Sequence, residues 1–357
     1  MERVFNFYPG PATLPLSVLE KLQRELVDFH DHGLSLLETS HRSAEYDEIH
    51  NRAANLVAEL LGLGDDYVVL LLGGGATLQF AMAPMNILRE GETADYIVSG
   101  SWSKKAAADA KLLGTVATIF DGKESNYTTL PETVTPSAEA RYVYLCSNET
   151  IGGLQWKQFP KIGKPLVADM SSDLMSRRFD PKPFGVIFAC AQKNLGPAGV
   201  TVVVVRKDLL EEAPEKLPAY LSYKIHADKN SLYNTPPVFA VWALAETLEW
   251  QKAQGGLKAI EEMNEKKAKA VYDAIDTSEG FYSCPADPRY RSRMNVVFTL
   301  PSQELETAFL QESKNRGMVG LKGHRSVGGC RASMYNALPL EAAEGPAEFM
   351  RDFRQKN

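Results

Sequence analysis

Between Tyr67 and Val205, strand-length apolar runs alternate with helix-forming stretches, and this alternation narrows the fold of the 357-residue chain more than any other feature. Strands are read at Tyr67–Leu72, Tyr96–Val98, Thr115–Phe120, Tyr142–Cys146, Leu166–Ala168, Val186–Cys190 and Val200–Val205. Several are apolar throughout rather than at every second residue, which suits strands buried on both faces in a mainly parallel sheet covered by helices. Val200–Val205 follows its predecessor by too short a link for a parallel crossover, so it is expected to run antiparallel. Helical spacing is read over Leu16–Phe29, Ala44–Leu61, from the glycine turn at 73–77 to Leu88, and over Ser103–Leu113. After Asp208 the texture changes to two long helices, Pro237–Gln254 and Leu257–Ile275, then a strand Asn295–Leu300 and helices Gln303–Asn315 and Leu340–Arg354. The expected organisation is a large α/β domain over 16–254 and a smaller α+β C-terminal domain over 255–357, joined by the N-terminal segment 1–15.

Two polar residues stand just past apolar strands. Pro165–Ala168 ends in Asp169, and Phe184–Cys190 leads through Gln192 to Lys193 in the stretch FACAQKNLGPAG, 188–199. In an open α/β sheet, ligands bind at the C-terminal strand ends. A lysine there can form a Schiff base with an aldehyde, and an aspartate can keep a pyridinium nitrogen protonated, the two anchors that pyridoxal phosphate requires. Taken alone, the pair also reads as a loop lysine and a turn residue.

Other stretches add to this pattern. Gly73-Gly74-Gly75-Ala76-Thr77 lies between a strand and a helix, where small residues and free N–H groups accommodate an anion. It is neither a dinucleotide fingerprint nor a P-loop. Trp102 and Thr150 each follow a strand, the first offering a flat face to a ring and the second a hydroxyl. His41-Arg42, His324-Arg325 and the nearby Arg331 supply cations whose geometry matches carboxylate and phosphate. Thr235 is read as the N-cap of the helix that follows, which leaves Asn234 unexplained.

Net charge is −6, from 39 basic and 45 acidic residues with no basic tract, which argues against nucleic acid as the main partner. The four cysteines (Cys146, Cys190, Cys284, Cys330) have neither metal-ligand spacing nor a CxxC, and are expected as free thiols in a reducing compartment. No apolar run is long enough for a signal peptide or a membrane span, so a soluble cytoplasmic protein is expected.

Together these stretches resemble the phosphoserine aminotransferases, class V, fold-type I pyridoxal-phosphate enzymes. The resemblance runs along nearly the whole chain: NFYPGPATLP (6–15), SHR (40–42), GGGATLQFAMAPMN (73–86), SGSWSKKA (99–106), SNETIGG (147–153), VADMSSD (167–173), CAQKNLGPAG (190–199), YNTPP (233–237) and GLKGHRSVGGCRASMYNALP (320–339). It implies a seven-stranded, mainly parallel sheet flanked by helices, and a homodimer with shared active sites. Lys193 would carry the cofactor as a Schiff base, Asp169 would pair with the pyridine nitrogen, Trp102 would stack on the ring and Thr150 would bond near its 3-hydroxyl. Ala76, Thr77 and Gln192 would hold the cofactor phosphate, joined by Asn234 and Thr235 from a second subunit. His41, Arg42, His324, Arg325 and Arg331 would bind substrate carboxylate and phosphate. One departure stands out: many members carry an arginine in the glycine turn, where this chain has Ala76-Thr77.

The implied reaction is a ping-pong transamination between L-glutamate and 3-phosphohydroxypyruvate, giving O-phospho-L-serine and 2-oxoglutarate in serine biosynthesis. 4-Phosphohydroxythreonine, in pyridoxine biosynthesis, is a further candidate substrate. Three alternatives stay open. An alanine–glyoxylate aminotransferase would share Lys193 and Asp169 without needing both His-Arg pairs. A cysteine desulfurase would need a mobile catalytic cysteine, for which Cys330 is the candidate. A phosphometabolite-binding or nicotinamide-dependent protein would use the glycine turn for anions.

Overall fold

The computed structural model describes residues 3–214 and 216–357. Seven strands form the central sheet: β1 (Tyr67–Leu72), β2 (Thr93–Val98), β3 (Thr115–Asp121), β4 (Ala140–Cys146), β5 (Leu166–Asp169), β6 (Phe184–Cys190) and β7 (Thr201–Arg206), in the order β1-β7-β6-β5-β4-β2-β3. β7 pairs antiparallel with both β1 and β6, while the remaining pairings are parallel.

The apolar runs are explained by burial on both sides. In β6, Ile187 and Ala189 join one hydrophobic cluster, while Val186, Phe188 and Cys190 join a second on the opposite face. Helices Ala44–Leu61 and Val238–Ala253 cover the first face, and Gly75–Ile87 and Ser101–Ala110 cover the other. Glu246 in the Val238–Ala253 helix is buried, and it ion-pairs with Lys21 at 2.7 Å and Arg52 at 2.5 Å. Those contacts tie two N-terminal helices to the sheet's helical layer.

A third cluster gathers helices Gly256–Asp276, Gln303–Asn315 and Glu341–Lys356 around the antiparallel pair Asn295–Phe298 and Cys330–Ser333. The N-terminal segment packs here. Phe5–Asn6 pairs in parallel with Met318–Val319, and Phe7 is fully buried.

Two readings need correction. The first helix ends at Glu25, not Phe29. Asp28 accepts the Gly33 N–H at 2.8 Å and closes a loop that turns Phe29 into the core, 5.4 Å from Trp242. Thr235 does not cap the helix after it. The cap position is Pro237, without a side-chain cap, because two prolines already set the chain's approach. Among the described residues, no helix is long and apolar enough to cross a membrane.

Candidate active site

The C-terminal ends of the parallel strands open into a cavity of ≈ 240 Å³. Ala76, Thr77, Trp102, Thr150, Asp169, Gln192, Lys193, His324 and Arg331 line it, nine of the residues singled out from the sequence. Each arrives by its own element: Asp169 ends β5, Gln192 and Lys193 follow β6, Thr150 follows β4, and Trp102 opens the helix after β2. Ala76 and Thr77 sit in the first turn of helix Gly75–Ile87, whose cap, Gly74, has φ +87°. That left-handed backbone admits glycine readily and turns the strand sharply into the helix. In that first turn the Ala76 N–H donates to Cys190 Sγ at 2.9 Å, and Cys190 itself lines the cavity.

Asp169 is buried and accepts the Ser171 N–H at 2.9 Å. Burial raises its carboxyl above the ordinary range, while the Ser171 hydrogen bonds and the Lys193 charge oppose the rise. Behind it, Ser147 Oγ lies between the Asp169 carbonyl, at 3.0 Å, and the Asp173 carboxylate. Asp173 in turn faces Arg177 at 3.6 Å.

Lys193 Nζ stands 5.8 Å from the centroid of the Trp102 ring. The indole is fixed at its tip, where Nε1 donates to Thr150 Oγ1 at 3.0 Å, leaving the threonine proton free for another acceptor. Arg331 is buried and donates from Nη1 to the Thr150 carbonyl at 2.9 Å. Its Nε is buried without a partner among the described residues, and burial lowers its pKa. His324 Nδ1 lies 2.7 Å from Ser326 Oγ and 3.2 Å from the Ser326 N–H. Partial burial, then the charges of Arg331, Arg325 and Lys105, lower its pKa.

Five singled-out residues lie elsewhere in this chain. Arg42, Asn234, Thr235 and Arg325 are exposed and His41 is half-buried, and none of the five lines the cavity. Conversely, Pro9, Gly10, Phe80, Asn148, Ser171, Ser172 and Cys190 line it without having been assigned a role. Gly10 is the sharpest omission. A Cβ there would meet Lys193 Cγ at 3.3 Å, so the Pro9-Gly10-Pro11 segment presses its backbone along the lysine stem. Cys330 sits fully buried in a strand, its thiol pushed up to about 12 by burial, which removes it as a mobile nucleophile.

Residues 4–344 match the family model Aminotransferase class-V. The chain is 52% identical over 358 residues to the phosphoserine aminotransferase of Geobacillus kaustophilus (strain HTA426), covering 100% of this chain and 99% of that one. Its fold superposes on the phosphoserine aminotransferase of Bacillus circulans subsp. alkalophilus with a TM-score of 0.97 at 50% identity, covering 100% and 99% of the two chains. It also matches the PLP-bound phosphoserine aminotransferase of Trichomonas vaginalis with a TM-score of 0.93 at 38% identity, covering 98% and 100%.

Proposed function

The chain belongs to the class-V aminotransferase family and, within it, to the phosphoserine aminotransferases, and on that premise we infer that its cavity binds pyridoxal phosphate and one substrate at a time, glutamate in one half-reaction and the phosphorylated partner in the other. It is a transaminase that passes the amino group of L-glutamate to 3-phosphohydroxypyruvate, giving O-phospho-L-serine and 2-oxoglutarate in serine biosynthesis. The carrying observation is the convergence of Lys193, Asp169, Trp102 and Arg331 on one cavity.

The residues present fit the cofactor. Asp169 is a buried carboxyl at the cavity wall whose burial is only partly offset by Ser171 and the Lys193 charge, and a protonated pyridine nitrogen would complete its pairing. A flat indole face with a lysine nitrogen above it suits an aromatic aldehyde. The glycine turn and its helix start suit the phosphate, with Ala76, Thr77 and Gln192 as its holders.

Bound pyridoxal phosphate supplies an aldehyde for amine exchange and a ring that accepts the electron pair left at the substrate Cα. The chain's own residues do the rest. Lys193 Nζ would take the proton from the substrate Cα and deliver it to the cofactor's former aldehyde carbon, and would run the same transfer in reverse for the second substrate. The Asp169 carboxylate keeps the ring nitrogen protonated by facing it with negative charge. Thr150 directs its free proton toward the ring's hydroxyl. Arg331 takes the substrate carboxylate. His324 and Arg325, with His41 and Arg42 of a second copy, take the phosphate and stand in for an arginine in the glycine turn.

The exposure of Tyr233, Asn234 and Thr235 supports a homodimer in which Asn234 and Thr235 reach the cofactor phosphate of the other copy. The same reading divides the chain into a cofactor-binding domain, 16–254, and a smaller domain, 255–357 with 1–15, and places the enzyme in the cytoplasm. 4-Phosphohydroxythreonine fits the same carboxylate and phosphate sites.

The test is a half-reaction. The cofactor-loaded protein is mixed with O-phosphoserine or, separately, with alanine while visible absorbance is followed, with Lys193→Ala as control. Rapid bleaching by phosphoserine and not by alanine, lost in the variant, is expected. Equal bleaching by both would leave the transaminase and remove the phosphate preference. A protein that takes up no pyridoxal phosphate would overturn the assignment.

A further inference from the structure

Glu149 has no part in the chemistry above, yet its burial is costly. It follows β4, is 1% exposed and carries no cation partner among the described residues. Its two oxygens instead take three hydrogen bonds from the first turn of helix Ser101–Ala110. Oε2 accepts the Trp102 N–H at 3.1 Å, and Oε1 accepts the Ser103 N–H at 2.9 Å and the Ser103 hydroxyl at 2.7 Å. A helix start offers both free N–H groups and a positive dipole end, so a carboxylate there can remain buried without an opposite charge. Gly100 clears the space: a Cβ on it would fall 2.4 Å from Glu149 Cδ.

An ordinary helix cap comes from the residue just before the helix. This one comes from 47 positions away and grips the backbone of Trp102, whose ring walls the cavity. The next residue, Thr150, holds the other end of that ring through Oγ1. Its carbonyl holds Arg331. Two consecutive residues therefore mount the ring wall by its backbone and its tip, and carry the carboxylate-binding arginine on the same support.

We propose that Glu149 is a positioning residue that sets the depth and plane of the Trp102 indole against the cofactor ring. The inference rests on the cofactor reading above. A carboxylate is suited to the task because its oxygens accept all three donors at once and donate to none. Glutamine keeps the shape but loses the charge and turns one acceptor into a donor facing an N–H.

The experiment uses cofactor-free protein in which Glu149→Gln, Ser103→Ala and Trp102→Ala are made singly, and in which each of the first two is combined with Trp102→Ala. Pyridoxal phosphate is titrated into each, with affinity and the visible circular dichroism of the bound cofactor as readouts. Glu149→Gln is expected to bind roughly ten-fold more weakly with a diminished visible band, the scale of one charge-assisted hydrogen bond. In the Trp102→Ala background the loss should shrink to less than about two-fold, because no ring remains to be placed. A loss of equal size in both backgrounds, or an unchanged affinity and band in folded Glu149→Gln, would overturn the proposal. Should Glu149→Gln fail to fold, Ser103→Ala decides by the same criterion, since it removes one donor and keeps the carboxylate. Wild-type protein that binds no pyridoxal phosphate would instead remove the cofactor reading, and the inference with it.

Discussion

The guanidinium of Arg331 hangs from the backbone carbonyl of Thr150 at 2.9 Å, with its Nε buried and unpartnered among the described residues. Such a cation is held ready for an anion that the chain itself does not supply. Arg331→Met should raise KM for both glutamate and phosphoserine about 100-fold, the range for truncating one member of a buried charged pair. Affinity for pyridoxal phosphate should stay within about two-fold, because the two sites share a mount but not a ligand. Initial rates at varied substrate, beside a cofactor titration, check this. A weakened cofactor with unchanged KM would move Arg331 out of the substrate site.

Asp169 carries the opposite requirement. Its carboxyl is lifted by burial and held down by Ser171 and Lys193, so a cation placed before it should favour the charged form further. Asp169→Asn keeps an acceptor for the Ser171 N–H but presents no charge to the ring nitrogen. Stopped-flow bleaching by phosphoserine should slow by roughly 10²–10³-fold, with the melting temperature little changed. Bleaching at the wild-type rate would mean the carboxylate does not serve the ring.

Lys193 and Asp169 were legible in the sequence because both-face-apolar strands end beside them, and a strand end fixes where the next residues go. Phe29 was misread for the complementary reason: helical spacing continues through it, and a loop contact between Asp28 and Gly33 decides otherwise. Thr235 has the right type for a cap, but the two prolines after it leave no role for one. Glu149 was invisible as a positioning residue because its partners lie 46 and 47 residues away, with no local pattern to mark them. His41, Arg42, Asn234 and Thr235 carry suitable chemistry, but one chain's spacing says nothing about which cavity an exposed loop serves.

Gly10 shows how much of the lysine's placement comes from the N-terminal segment. It sits at φ +138°, and the Ala12 N–H donates to the Gln192 carbonyl at 2.9 Å, docking the segment against the lysine loop. Gly10→Ala adds a methyl 3.3 Å from Lys193 Cγ and strains the backbone, at a cost of about 1–3 kcal/mol. The half-reaction should slow roughly ten-fold as the lysine stem shifts. Unaltered rates and stability would show that the stem has room to give.

Asn234 tests the assembly. Asn234→Ala should weaken pyridoxal phosphate binding roughly ten-fold, as loss of one hydrogen bond to a charged phosphate would. Asn234 does not line its own chain's cavity, so such a loss has to come through a second copy. Unchanged affinity in a protein that sediments as a dimer would refute the shared site.

Lys267 offers a prediction away from the chemistry. It is fully buried in helix Gly256–Asp276, and its Nζ donates to the carbonyls of Met334, Tyr335 and Leu338 at 3.3, 2.7 and 3.0 Å. The turn it holds includes Asn336, whose N–H donates to Asn194 Oδ1, on the residue after Lys193. Lys267→Met should cost about 2–4 kcal/mol, since it strands carbonyls that water cannot reach. Burial pushes the amine down to about 7, against about 10.4 in the unfolded chain. Between those values the unfolded state binds one more proton than the folded state, so this group's contribution to stability rises with pH. The deficit of Lys267→Met relative to wild type should therefore widen from pH 7 to pH 9, as measured by denaturant unfolding. A deficit that stays constant over that range would mean the three carbonyls hold the ammonium charged despite its burial.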